Sequence, residues 1–428
     1  MRSKRRLSRR SFLKTAGAAF AFPAIIPSSA LGADGAVAPS ERIVMAAIGT
    51  GGQGMGNMGN FLGRKEVQMV AVCDVDTSHR NAAKENVDKK YQNSDCQAYN
   101  DFREITRRDD IDAVCIGTPD HWHVIPAIDA AKNKKDIYVE KPLTLAIGEG
   151  RVLSDVVKQH GRILQTGSQQ RSSEYFWKAA MLARNGKLGT INQISVGIPG
   201  NNKECGPSWT PQPVPEGFDY NMWLGPAPWA EYHPLRCHYT FRFILDYSGG
   251  QVTNFGAHHL DIAQWALDMD ESGPVEVSGN GAFPETGLFT TATKVFFECT
   301  YANGVKLYCK TGGPNIQIEG SEGSVRASRK NVTSNPASLL EADFSAFETQ
   351  LYRSNDHHQN FLECVKSRKQ PICTAEVGHR SATVCHLGNI SMQLGRTLKW
   401  DPKAENFGDD QEANSHVLRA MREPWSLA

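Results

Sequence analysis

IVMAAIGTGGQGMG, residues 43–56, decides how the first half of this chain folds. An apolar run ends at Gly49, and Gly49, Gly51 and Gly54 follow in the spacing GxGxxG before a helix-forming stretch. Glycines there permit the tight turn and let the backbone approach a pyrophosphate, which rests on the positive end of the next helix. The glycine pattern is weak by itself, because the stretch is rich enough in glycine to match by chance. A second apolar run, EVQMVAVCDVD (66–76), strengthens it by ending at Asp74, twenty residues past Gly54. A carboxylate at that place binds both ribose hydroxyls and repels a 2′-phosphate, so NAD is favoured over NADP. NADP stays open, with His79 and Arg80 close by in sequence. Gly49, Thr50, Gly51, Gln53, Gly54 and Asp74 are the expected cofactor contacts in this part of the chain.

Working outward, IDAVCIGT (111–118), KDIYVEKP (135–142) and RILQTG (162–167) continue the alternation of apolar strand runs with longer amphipathic segments. That alternation predicts an α/β fold, a Rossmann-type doubly wound parallel sheet over residues 41–165. Beyond it the texture changes. TINQISVGI (190–198), VEVSGNGAF (275–283), KVFFECTY (294–301), GVKLYCK (304–310) and NIQIEG (315–320) have Gly or Asn turns between several of them. They predict an α+β domain over 166–428, with an open, largely antiparallel sheet. Helical segments at 356–370 and 379–396 close it. The Pro- and Trp-rich stretch 206–229 reads as the wall of a site.

The start of the chain carries a different signal. SRRSFLK (8–14) precedes the short apolar run TAGAAFAFPAII (15–26), with small residues around 28–32. This is the pattern of a twin-arginine export signal over residues 1–32, which predicts export to the periplasm by the Tat machinery. A basic amphipathic helix or a retained anchor is the other reading, although a spanning helix needs about 20 apolar residues. The Tat route carries folded proteins, so NAD would travel tightly bound. Forty-seven Lys and Arg against 46 Asp and Glu give no reason to expect a nucleic-acid partner. No later segment is apolar for long enough to span a membrane. Of ten cysteines, Cys73 and Cys115 fall inside strand runs and none shows CxxC spacing, so unpaired structural thiols and no zinc are expected.

GTPDHWH (117–123) and EKP (140–142), taken with the glycine motif, resemble the glucose–fructose oxidoreductase and inositol dehydrogenase family, Gfo/Idh/MocA. LDYSGGQVTNFGAHHLDIAQWAL (245–267) looks like that family's GG-xxx-D-xxx-H signature, and the whole resembles its exported branch acting on sugars and glycosides. The likeness implies a two-domain enzyme with its site in the cleft, where Lys141 hydrogen-bonds the hydroxyl being oxidised and His258 is its base. The family's aspartate is Asn254 here, which can orient a partner but cannot stabilise an imidazolium by charge. Thr118, Pro119, His123, Glu140 and Lys141 would complete the cofactor site. His121, Trp122, Arg171, Arg236, Tyr239, Arg242 and His259 would face the sugar.

Chemistry supports the central pair independently. A secondary alcohol losing hydride must also lose its hydroxyl proton, which histidine accepts near neutral pH. An ammonium at the carboxyl end of a parallel strand stabilises a developing alkoxide. His259 is adjacent and could replace His258, while Asp261 either orients His258 or is a plain helix-start carboxylate. His238 joins the sugar wall, and the pair His357-His358 is a helix feature or a solvated face. The histidines lack a carboxylate–histidine set of metal-site geometry, so no metal is expected. Three activities remain open: dehydrogenation of a sugar or glycoside, with C3 the expected carbon; redox-neutral NAD-dependent glycoside hydrolysis; and non-catalytic sugar sensing. The open sheet leaves a face that should be covered, and the family resemblance implies a homodimer or homotetramer.

Overall fold

The run that opens the chain's first motif forms β1 (Ile43–Ile48), whose side chains are buried on both sides of the strand. Ile43, Met45 and Ala47 enter one apolar cluster, while Ala46 and Ile48 enter another. A strand buried on both faces belongs inside a parallel sheet covered by helices. The computed structural model describes residues 37–345 and 348–427. The twin-arginine segment and the cleavage region lie outside the described residues.

β2 (Val67–Cys73), β3 (Gln97–Tyr99), β4 (Ala113–Ile116), β5 (Asp136–Val139) and β6 (Leu164–Thr166) join β1 in the order β3-β2-β1-β4-β5-β6. Every pairing is parallel. The order reverses between β1 and β4, and a ligand crevice opens at such a switch point. All the expected strands of this half are present. β3 is the addition, a three-residue edge strand on which Gln97 and Ala98 are exposed and only Tyr99 is partly buried.

The second sheet contains β7 (Ile191–Ile198), β8 (Glu276–Gly279), β9 (Phe296–Thr300), β10 (Lys306–Thr311), β11 (Asn315–Gly320), β12 (Ser324–Ala327), β13 (Val332–Asn335) and β14 (Leu398–Lys399). Their order is β13-β12-β11-β7-β10-β9-β8-β14, antiparallel except for β7 with β10. Side chains alternate along these strands. Ile194, Val196, Leu307, Cys309, Ile316 and Ile318 are buried in a core shared with helices Glu174–Arg184, Ala257–Ala266 and Ala375–Leu394. The opposite face, with Gln193, Ser195, Tyr308 and Gln317, is only partly covered, and Phe296 on it is 46% exposed.

Phe218, Tyr220 and Trp223 of the Pro- and Trp-rich stretch pack with Tyr232, Phe241, Phe243 and Tyr247 of the segment after it in one aromatic cluster. That cluster stiffens a segment otherwise poor in hydrogen-bonded secondary structure. All ten cysteines are free, nine of them buried. Among the described residues, no helix is long and apolar enough to cross a membrane.

Candidate active site

Helix Gly52–Leu62 begins directly after β1, with Gly51 as its cap. Gly49 has φ +78, and a Cβ on Gly54 would sit 1.9 Å from the Gly49 carbonyl oxygen, so this turn closes only with glycine at both positions. Gly117, at the end of β4, packs on the same spot: its Cβ would meet Gly54 Cα at 2.5 Å. Gly52 is different, because a Cβ there would meet nothing within 4 Å. The space above the helix's free N–H groups is therefore open, as an approaching phosphate requires. Asp74 at the end of β2 accepts from the Thr50 N–H at 2.7 Å and from the Asp76 N–H at 2.9 Å, which holds its carboxylate at the ribose end of the crevice. These residues fit a dinucleotide.

The crevice, about 370 Å³, runs from Gly51, Gly52 and Asp74 past Thr118 and Pro119 to Lys141, and its far wall is Phe218, Met222, Trp223, Tyr239 and Arg242. A second, polar lobe continues from it, lined by Gln53, Glu140, Gln169, Gln170, His258 and Arg329. Lys141 and Asn254 line both. Burial lowers the Lys141 pKa, assisted by Arg242 and Arg329, while Glu140 and Asp120 work the other way. Burial, with Lys141 and Arg329, holds the His258 pKa well below its ordinary value. The ring is neutral at pH 7, and its buried Nδ1 has no partner among the described residues. Asn254 donates to Gln251 Oε1 at 3.0 Å. It sits in a π-helical turn, Val252–Gly256, that leads into the helix bearing His258. Such turns are rare and concentrate at functional sites.

Glu140 is a hub. Its Oε1 accepts from Asn57 at 2.8 Å, Gln169 at 3.0 Å and Gln53 at 3.3 Å, and its Oε2 accepts from the Lys141 N–H at 3.3 Å. These bonds hold the backbone that presents Lys141. His123 is a second fastener: its ring nitrogens face the carbonyls of Pro142 at 2.7 Å and Thr118 at 2.9 Å, tying β4's end to the EKP turn. Trp122 lines the crevice and donates from Nε1 to the Trp223 carbonyl at 2.9 Å.

Four expected sugar contacts lie elsewhere. Arg171 is 1% exposed; it bonds both carboxylate oxygens of Asp261, the nearer at 2.9 Å, and reaches Asp270 at 2.7 Å. Its guanidinium is fully engaged in the core, and Asp261 is spent on Arg171 and on Ser381 at 2.7 Å, not on His258. Arg236 is buried over Trp209 and donates to the Glu231 carbonyl at 3.1 Å. His121 packs among Trp223 and Tyr247 beneath the wall, with burial pushing its pKa down to about 3. His259 is fully buried against Phe176 and Phe255, with Nδ1 3.3 Å from the Gly197 carbonyl, and cannot substitute for His258. His357 and His358 are not a solvated face either. His357 reaches the Thr166 carbonyl at 2.9 Å, and His358 stacks on Tyr138.

The structure adds Asp120, Ser248 and Arg329. Asp120 lies in the crevice wall, accepts from the Ser248 hydroxyl at 2.5 Å, and interacts with His123, Lys141 and Arg242. Burial raises its pKa against those neighbours. It supplies a carboxylate facing Lys141 in a site where the helix offers only Asn254. Asp120 stands inside GTPDHWH, so a buried acid at a strand end was its visible signal; Arg329, after β12, has none. The fold also gathers Asp76, His79 and His238, whose potential ligand atoms lie within 4.8 Å of one another at the ribose end of the crevice.

Two family models match the chain: "Oxidoreductase family, NAD-binding Rossmann fold" over residues 43–168, and "Oxidoreductase family, C-terminal alpha/beta domain" over 204–427. The chain is 27% identical over 289 residues to a scyllo-inositol 2-dehydrogenase (NAD(+)) of Bacillus subtilis, 63% of this chain and 72% of that protein. It is 34% identical over 165 residues to an alpha-N-acetylgalactosaminidase of Shewanella oneidensis, 33% of this chain and 35% of that protein. Among solved structures, an aldose-aldose oxidoreductase from Caulobacter crescentus, complexed with glycerol, superposes with a TM-score of 0.62 at 17% identity, covering 84% of this chain and 99% of that one.

Proposed function

The chain belongs to the Gfo/Idh/MocA oxidoreductase family, and on that premise we propose that it oxidises a secondary hydroxyl of a sugar or glycoside, at C3, with tightly held NAD. The reading is carried by one observation: Lys141 stands where the glycine-floored crevice meets the polar lobe that holds His258. NAD, held by Gly51, Gly52 and Asp74, supplies the hydride acceptor when bound. Lys141 donates to the substrate hydroxyl and stabilises the alkoxide as it develops. His258, neutral because burial and two cations oppose its charge, takes the hydroxyl proton. Glu140 and His123 position Lys141, and the aromatic wall around Trp223 excludes water. A homodimer or homotetramer would cover the partly open sheet face around Phe296.

Export by the twin-arginine route, with NAD loaded before transit, belongs to the same proposal and explains why the cofactor must be held and recycled in place. Mature protein purified without added nucleotide and then denatured should release near-stoichiometric NAD, identified by mass spectrometry. The loaded enzyme should form a ketosugar from a member of a broad glycoside panel supplied with acceptors. An empty protein with weak NAD affinity, or no ketosugar from any member, overturns the reading.

The partial likeness to an alpha-N-acetylgalactosaminidase supports a second reading, net hydrolysis. Here the 3-ketone acidifies the C2 hydrogen, the aglycone leaves by elimination, water adds, and the hydride returns to C3. Reducing sugar released without an acceptor, carrying solvent deuterium at C2, marks this route; unlabelled product excludes it.

A further inference from the structure

The polar lobe carries more positive charge than the protein neutralises. Lys141 and Arg329 both line it, and its only lining carboxylate among the described residues, Glu140, is already occupied by Asn57, Gln169, Gln53 and the Lys141 N–H. Arg329 pairs with no carboxylate among the described residues. Its guanidinium lies 4.9 Å over the Phe255 ring. With the Gln170 amide turned to satisfy both neighbours, Gln170 accepts from Arg329 Nε at 3.0 Å and donates to the His258 carbonyl at 3.2 Å. Arg329 is thereby fixed through Nε to the turn that carries His258, and its two terminal NH2 groups remain for a ligand.

We propose that the sugar taken by this lobe is acidic, bearing a carboxylate or a sulfate ester that Arg329 binds through its free fork while Lys141 and His258 engage a hydroxyl of the same ring. The inference rests on the polar lobe being the sugar site. A planar guanidinium matches two oxygens of either anion, and such paired, charge-assisted bonds are stronger than neutral ones. Arg329 is itself exposed where it lines the lobe, so the discrimination comes from the new charge-assisted contact with an acidic group, which a neutral sugar cannot make. Burial chiefly, and the charge of Arg329 in addition, lowers the pKa of both Lys141 and His258.

The test uses matched sets of glycosides in both anomeric forms: the neutral sugar, its uronide and its 6-sulfate. Each is titrated calorimetrically against the NAD-loaded protein and assayed for turnover. The acidic members should bind at least about tenfold more tightly than the neutral one, with the preference shrinking as ionic strength rises. The comparison of uronide with sulfate shows which anion is preferred. Arg329→Gln should bring the ratio close to one, and Arg329→Lys should retain part of it. Equal binding of neutral and acidic members, a wild-type ratio preserved in Arg329→Gln, or no binding of any acidic member overturns the proposal. Selective binding of acidic sugars without turnover would instead leave this inference standing and refute the redox reading.

Discussion

Burial and two arginines lower the Lys141 pKa, while Glu140 and, after it, Asp120 act to keep the lysine protonated. Asp120 lines the same crevice as Lys141. Asp120→Asn should therefore lower the Lys141 pKa further, and the basic limb of the kcat/KM profile, where the ammonium is lost, should move to lower pH. An unmoved limb would show that the two groups are uncoupled. Arg171 illustrates the opposite case. It is the sort of residue that sequence assigns to a sugar, yet burial and two carboxylates make it part of the core. Arg171→Ala should cost roughly 3–5 kcal/mol, read from denaturant unfolding, because Asp261 is left buried without its partner. A folded, stable variant whose only defect is a raised KM would return Arg171 to the substrate. Nothing in SQQRSS separates these outcomes, since the partners stand some ninety residues away in sequence.

Between β1 and the helix that follows, neighbouring glycines do different work. Gly54 is forbidden a side chain by the protein's own backbone, whereas a Cβ on Gly52 would meet nothing within 4 Å. Gly54→Ala should destabilise the empty protein, whereas Gly52→Ala should leave its melting temperature within a degree or two and lower NAD content on purification. If Gly52→Ala retains full NAD, the cofactor does not run over this helix end. The elements themselves were largely legible. Long apolar runs announce buried strands of the parallel sheet, and inside–outside alternation announces those of the second sheet. β3, β12, β13 and β14 were not, because each is two to four residues long and sits at or near a sheet edge where few side chains must be buried. The π-helical turn at Val252–Gly256 also leaves no trace in the spacing of apolar residues.

Across the whole molecule, burial keeps several histidines neutral, with consequences for acid stability. His259, His357 and His386 are pushed down to about 4 and His121 to about 3, against an ordinary value of 6.5. A histidine whose folded pKa is depressed contributes stability that is present above its unfolded pKa and lost as pH falls towards the folded one. Each costs about 1.4 kcal/mol per pH unit across that window. The urea midpoint should therefore drop steeply between pH 6.5 and 4, and a flat midpoint there would mean these rings are not buried neutral. The sequence by itself determined the doubly wound first half, the second sheet and the glycine turn with Asp74, because each is written in local period or in a motif whose spacing a turn requires. Tertiary structure alone decided which arginines and histidines face the cleft. Arg171, Arg236, His121 and His259 carry the same polar groups as Arg242, Arg329 and His258. Only the packing of segments far apart in sequence determines which are consumed by buried partners and which are left for a ligand.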